Sequence, residues 1–271
     1  MTSATPATRS AIVTVAMGRS TEQLDYTFTS FAEHNPGIPL HAFILGSQLP
    51  KRRLPGIEYH LIASVPDFSH PLREVYFRRH GLIDQLDVDN VLVVDSLDVL
   101  CLRPLPAFDS ILRDFAMAAC VENIGSRYIL GQGYTSNFLN GGVTFWNLAR
   151  SREIRAEILA RGRKHFRTVA DDQWVINEVV QTKYYEQLRI LPCQFNFRPD
   201  FKIRRRNWPS VDTLDGVYLF HNSTSMDLAK ALSATQAKAS LPDLPDDGGP
   251  LTERQQFWRR VRTRLSKHIV G

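Results

Sequence analysis

Cysteine is scarce in this 271-residue chain. Cys101, Cys120 and Cys193 are too few and too scattered for a disulfide framework or a paired-thiolate metal site, and they fit a reducing compartment. No apolar run approaches the ~20 residues that a membrane-spanning helix needs. The opening MTSATPATRS is polar, without the apolar core of a signal peptide. The expectation is a cytoplasmic protein. The body also lacks an excess of either charge. The formal net charge is +5, but residues 251–271 hold Arg254, Arg259, Arg260, Arg262, Arg264 and Lys267 against Glu253 alone. The rest of the chain is therefore balanced. A nucleic-acid-binding body would carry a basic face of its own, so nucleic acid is not an expected partner.

What is present is an α/β pattern. AIVTVAM (11–17) and LHAFIL (40–45) are short continuous apolar runs, as expected of strands buried on both faces. Between them Ser20 and Gln23 have capping-box spacing, and Leu24, Phe28 and Phe31 recur at helical spacing until Asn35-Pro36-Gly37. The opening unit thus reads β-α-β, which favours a parallel sheet with a crevice at the strand ends. A helix is predicted over about 72–86, a strand at VLVV, further elements at MAACV, GGVTFW and 152–163, another helix opening near Asp172, and a late strand VYLF (217–220). Residues 227–250, rich in Ala, Ser, Pro and Asp, read as an irregular connection.

The VLVV strand runs into Asp95-Ser96-Leu97-Asp98 before the chain turns apolar again. Two carboxylates this close repel unless a positive charge lies between them. They sit beyond a strand's carboxyl end, where open α/β sheets bind ligands, and hard oxygen donors favour Mg²⁺ or Mn²⁺. An isolated pair of this kind equally well caps a turn and meets solvent. His221, closing the late strand, is a candidate third ligand whose nitrogen suits Mn²⁺.

The stretch YFRRHGLIDQLDVDNVLVVDSLDVLCLRPL resembles the central part of nucleotide-sugar glycosyltransferases with the GT-A fold, and is similar in style to glycosyltransferase family 8 and the glycosyltransferase domains of lysyl hydroxylases. Tyr76-Phe77-Arg78 and Arg103-Pro104-Leu105 fit that frame, as do FLNGGVTFWNL, DDQWVIN, LPCQFNF and VYLFHNS in the same order. The departures are Asp-x-x-Asp in place of the Asp-x-Asp of family 8, and the absence of its Gly and Lys-Pro-Trp after His221.

The resemblance implies a GT-A type, Rossmann-like, mixed and mostly parallel sheet flanked by helices over residues 1–226; composition and spacing add the linker 227–250 and a C-terminal helical appendage, 251–271. It implies a Mn²⁺ (or Mg²⁺) ion on Asp95, Asp98 and His221. A nucleoside diphosphate donor, a UDP-sugar, would meet Val15, Ala16, Met17, Arg78, Asp95, Ser96, Gly141 and Gly142. Asp172, with Asp171, Gln173 and Asn140, would act at the transferred hexose, with retention of configuration by analogy. The bland readings stay open beside these: a surface ion pair for Arg78, a turn for Gly141-Gly142, helix capping for Asp171 and Asp172, and a solvated loop for the basic run 202–206. A sugar nucleotidyltransferase should open with a Gly-rich phosphate loop, whereas VAMGRSTEQ holds a single Gly. A non-catalytic nucleotide-sugar-binding protein is the other alternative. In the tail, Phe257, Val261, Leu265 and Ile269 form an apolar stripe among arginines. Such a helix would lie on an anionic membrane surface at the cytoplasmic face, or pack on the body. The acceptor would be a glycan, a lipid-linked sugar or a protein.

Overall fold

The computed structural model describes residues 8–18, 24–65, 68, 71–129, 132–162, 171–198 and 216–221. The capping pair Ser20 and Gln23, the basic run 202–206, the linker 227–250 and the C-terminal appendage lie outside the described residues.

The opening β-α-β unit consists of β1 (Ser10–Met17), α1 (Leu24–His34) and β2 (Leu40–Leu45), with β1 and β2 parallel and paired Ile12 to Leu40 through Met17 to Leu45. The continuous apolar runs explain the burial. Alternate side chains of each strand enter two different core layers, so neither face can be polar. Val13, Val15, Phe43 and Leu45 pack on one side of the sheet, and Ile12, Ala16, Ala42 and Ile44 on the other. Then follow β3 (Ile57–Ile62), α2 (Pro71–Leu82) with a 3₁₀ turn at Ile83–Gln85, β4 (Asn90–Val94), β5 (Val99–Cys101) and α3 (Phe108–Leu112). The second half carries β6 (Met117–Ile129), β7 (Gln132–Asn147), α4 (Arg152–Gly162), α5 (Asp171–Lys183), β8 (Leu188–Leu191) and β9 (Leu219–His221).

The main sheet runs β3-β2-β1-β4-β7-β6-β8, and β7 is antiparallel to both its neighbours while the other pairs are parallel. It is the mixed, mostly parallel sheet expected from the sequence. The core layer containing Val13 and Phe43 also takes Val75 and Leu82 of α2, Ile154 and Ile158 of α4, and Val175 and Val179 of α5. The opposite layer takes Leu24, Phe28 and Phe31 of α1 and Phe108, Ile111 and Leu112 of α3.

Two features of this topology position the site. Strands β1 and β4 are adjacent and parallel although widely separated in sequence, so the carboxyl end of β4 opens at a point where the strand order reverses. A separate two-stranded sheet pairs β5 with β9 antiparallel and sets Val99 opposite His221. That pairing brings a residue from the far end of the described chain beside Asp98. No described helix is long and apolar enough to cross a membrane.

Candidate active site

Asp95 follows the last residue of β4, and its backbone N–H donates to the Gly142 carbonyl of β7 at 2.8 Å. Asp98 immediately precedes β5, and His221 ends β9. Three different strand ends therefore deliver two half-buried carboxylates and one buried imidazole to one place. Their ligand atoms lie within 4.8 Å of one another. His221 Nε2 stands 3.3 Å from Asp98 Oδ2 and 3.9 Å from Asp95 Oδ2. Ser96 is half-buried in the turn between the two acids.

A chain of amides fixes which face of the imidazole meets those carboxylates. The Gly142 backbone N–H can only donate, so the Asn140 atom it reaches at 2.9 Å is the carbonyl oxygen, Oδ1. The Asn196 atom 2.8 Å from that oxygen must then be Nδ2, which leaves Asn196 Oδ1 to accept from His221 Nδ1 at 2.9 Å. With a proton held on Nδ1, the His221 nitrogen that faces Asp95 and Asp98 is Nε2. Nε2 and the two carboxylates converge closely enough to hold one cation between them, and two oxygen donors with one imidazole suit Mn²⁺ or Mg²⁺. Second-sphere hydrogen bonding of this kind is what orients a ligating histidine.

Gly142 shows how closely this group is packed. A Cβ there would stand 2.2 Å from Asp95 Oδ2 and 2.7 Å from His221 Cε1. The glycine is needed because the two candidate ligands rest on its backbone. At Gly141 the same Cβ would meet the Ile176 side chain at 3.2 Å, Arg79 Nη2 at 3.3 Å and Asp172 Oδ2 at 3.4 Å, a less severe approach than at Gly142.

Arg79, the residue after Arg78 on α2, is the cation that meets these carboxylates. Arg78 is engaged by Glu74, one turn back, at 2.6 Å, and donates to the Ala63 carbonyl at 2.6 Å. Arg79 instead lies on the helix stripe of Val75, Leu82 and Ile83, all buried. It is 3% exposed and enters beneath the carboxylates. Its Nη1 donates to Asp95 Oδ1 at 3.0 Å, and Nη2 to Asp172 Oδ2 at 2.6 Å and to the Gly141 carbonyl at 2.7 Å. The Tyr76 ring lies 5.7 Å from its guanidinium carbon. Burial, with the Asp95 and Asp172 charges adding, pushes the Tyr76 phenol well above its ordinary value, so it stays protonated.

Asp171 opens α5, and its side chain is outside the described ones; Asp172, buried, follows and is clamped by Arg79. Gln173 Oε1 accepts from the Gly141 N–H at 3.2 Å and from Asn140 Nδ2 at 3.4 Å. Asn140, Gly141, Asp172 and Gln173 thus form one connected patch beside the three candidate ligands. Of the first-strand residues, Val15 and Ala16 bury their side chains in the two core layers, and Met17 is half-buried at the strand's carboxyl end.

Two members of this constellation, Arg79 and Asn196, were absent from the sequence-based set. An arginine on the apolar stripe of a helix was the signal for the first. A single asparagine between Phe195 and Phe197, in a segment already matched to a motif, was the signal for the second.

No family model matches the chain. Its sequence is 30% identical over 162 residues to glucoside xylosyltransferase 1 of Gallus gallus, and 32% identical over 163 residues to glucoside xylosyltransferase 2 of Mus musculus. Each match covers 51% of this chain and 36% of the relative, so the chain spans about a third of the length of the curated proteins it matches. Among solved structures, the galactosyltransferase LgtC, in complex with donor and acceptor sugar analogs, superposes with a TM-score of 0.60 at 19% identity, over 88% of this chain and 98% of that one. The glycosyltransferase GlyE of Streptococcus pneumoniae TIGR4 superposes with a TM-score of 0.55 at 19% identity, over 97% of this chain and 64% of that one. The chain has the GT-A fold, and the resemblance to glycosyltransferases of the family 8 type holds in both sequence and fold.

Proposed function

We propose that this GT-A-fold chain is a metal-dependent glycosyltransferase that moves a sugar from a nucleoside diphosphate donor, a UDP-sugar, to a glycan, lipid-linked or protein acceptor with retention of configuration. The observation that carries the reading is the convergence of Asp95, Asp98 and the Nε2 face of His221 at the carboxyl end of β4. The donor set fits Mn²⁺ or Mg²⁺: two hard carboxylates and one imidazole whose other nitrogen is tied to Asn196. A cation held there supplies Lewis-acid neutralisation of the charge that grows on the leaving diphosphate.

The chain's own residues do the rest. Asn196 and Asn140 hold the His221 tautomer. Arg79 fixes Asp95 and Asp172 relative to each other through one rigid guanidinium, which ties the cation side of the site to the sugar side. Asp172 and Gln173, at the start of α5 against the Asn140–Gly141 backbone, are the groups to meet hydroxyls of the transferred sugar and the reacting centre. The sugar is a hexose or a pentose, since the solved neighbour is a galactosyltransferase and the curated relatives are xylosyltransferases. Attachment to an anionic membrane through residues 251–271 belongs to the same proposal. It is tested by salt-sensitive vesicle binding that truncation removes.

Donor hydrolysis to UDP, with water as acceptor, tests the reading without knowledge of the natural acceptor. Asp172→Asn should lower turnover strongly and leave UDP affinity nearly unchanged, the mark of an interaction made in the transition state. A matched fall in UDP affinity would remove Asp172 from the sugar.

A further inference from the structure

A second convergence of metal-capable side chains lies at the far edge of the main sheet, where β3 is the outermost strand. Strands β2 and β3 are parallel with His41 opposite Glu58 and Phe43 opposite His60. The two-residue side-chain period places all four on one face. His41 is buried, at 7% exposure, while Glu58 is exposed and His60 half-buried. The Phe43 ring stacks on the His60 imidazole with centroids 4.6 Å apart, and the two imidazoles lie 5.3 Å apart at 26°.

That stacking aims His41 Nδ1 at His60 Nε2, 3.0 Å away. The Glu58 carboxylate faces both nitrogens, with Oε2 3.5 Å from His41 Nδ1 and Oε1 3.7 Å from His60 Nε2. In a tetrahedral site with metal–nitrogen distances of about 2.0–2.1 Å, neighbouring donors stand about 3.3–3.4 Å apart. The three separations here bracket that spacing before any ion draws the donors together. A single proton between the imidazoles would join the two nitrogens, whereas a metal ion would engage all three groups at once.

We propose that His41, His60 and Glu58 form a zinc site, separate from the candidate active site, that clamps the edge strand β3 to β2. Two imidazoles and one carboxylate make a nitrogen-rich set that suits Zn²⁺, in contrast to the oxygen-rich Asp95, Asp98 and His221. Glu58 lies on the solvent side, so water can complete the coordination. An edge strand is held by one neighbour only, so a cross-strand metal bond adds stability where the sheet has least.

The test uses the full chain stripped with a chelator, with Zn²⁺ binding followed by calorimetry and Co²⁺ binding by visible absorption. A background variant, Asp98→Asn with His221→Ala, removes the other site. In that background one equivalent of Zn²⁺ should still bind and raise the melting temperature, and Co²⁺ should give the intense bands of a four-coordinate centre. Adding His60→Gln should abolish both responses, and adding Glu58→Gln should weaken them. These two residues are not fully buried, so their substitution leaves the fold intact even if His41→Ala does not. Zinc binding lost altogether in the background variant, or unaltered by His60→Gln, would overturn the proposal.

Discussion

Replacing Gly142 by alanine adds one methyl group at the point where Asp95 and His221 meet the β7 backbone. The new carbon would stand 2.2 Å from Asp95 Oδ2, so reaching an ordinary 3.4 Å contact requires a displacement of about 1.2 Å. Asp95 has little freedom to supply it. Its Oδ1 is held by Arg79 at 3.0 Å and its backbone N–H by the Gly142 carbonyl at 2.8 Å. On the other side His221 Cε1 would be 2.7 Å away, and that ring is fixed through Asn196. Overpacking of a closed site costs about 1–3 kcal/mol, which in a domain of this size lowers the melting temperature by a few degrees. The larger effect should fall on metal binding. Displacing a ligand should weaken Mn²⁺ by at least the ~10–100-fold seen when supporting groups around metal ligands are altered. Titration of Mn²⁺ followed by electron paramagnetic resonance of the free ion reads the affinity, and thermal melts report the fold. Gly141→Ala is the comparison, because its Cβ would meet Ile176, Arg79 and Asp172 at 3.2–3.4 Å and would not press on Asp95 or His221. A folded Gly142→Ala protein with wild-type Mn²⁺ affinity, or a Gly141→Ala protein equally impaired, would refute the assignment of Asp95 and His221.

Two further predictions come from buried polar groups. Asn196→Leu removes the acceptor that holds the His221 proton on Nδ1, and Mn²⁺ affinity should fall about 10–100-fold. Asn196→Asp keeps the acceptor for His221 but loses the donor to Asn140 Oδ1, so it should recover only part of that loss; equal affinities in the wild-type and Asn196→Leu proteins would refute the tautomer argument. His80 is buried against Trp146, and neither ring nitrogen has a hydrogen-bond partner among the described residues. Burial, with Arg79 and Arg155 adding, holds its folded-state pKa well below the ordinary 6.5. The unfolded chain therefore takes up a proton that the folded chain refuses. The stabilising contribution is complete above about pH 6.5 and declines by up to about 1.4 kcal/mol per pH unit below it, until the folded value is reached. His80→Phe should flatten the acid limb of a melting-temperature profile, and an unchanged profile would show that other groups set it.

Much of the sheet was legible because its central strands are buried on both faces. AIVTVAM, LHAFIL and VLVV cannot sit in any other environment, and they form β1, β2 and β4. The edge strands β3 and β8 were not read. IEYHLI exposes both Glu58 and Leu61, LRIL is four residues long with Ile190 exposed, and a strand paired on one side needs no uniform apolar pattern. The hairpin of β6 and β7 was seen only as two separate apolar pieces, because its far part has no apolar run. At the site, Asp95, Asp98 and His221 stood out as polar groups closing apolar strands. What brings them together is the pairing of β5 with β9, a contact across more than a hundred residues that no local pattern encodes. Arg79 was not singled out because the motif was matched at Arg78. Helical phase separates the two, since Arg78 shares a face with Glu74 and Arg79 shares one with Val75 and Leu82.

The central claim is that Asp95, Asp98 and His221 hold the cation through which a nucleotide sugar is bound. Calorimetric titration of UDP-glucose, UDP-galactose and UDP-xylose into the wild-type chain and the Asp98→Asn variant, each with and without Mn²⁺, tests it most directly. The account expects at least one of these donors to bind the wild-type protein only when Mn²⁺ is present, and Asp98→Asn to lose that binding while melting at the wild-type temperature. Donor binding that is independent of Mn²⁺, or equal in the two proteins, would contradict it.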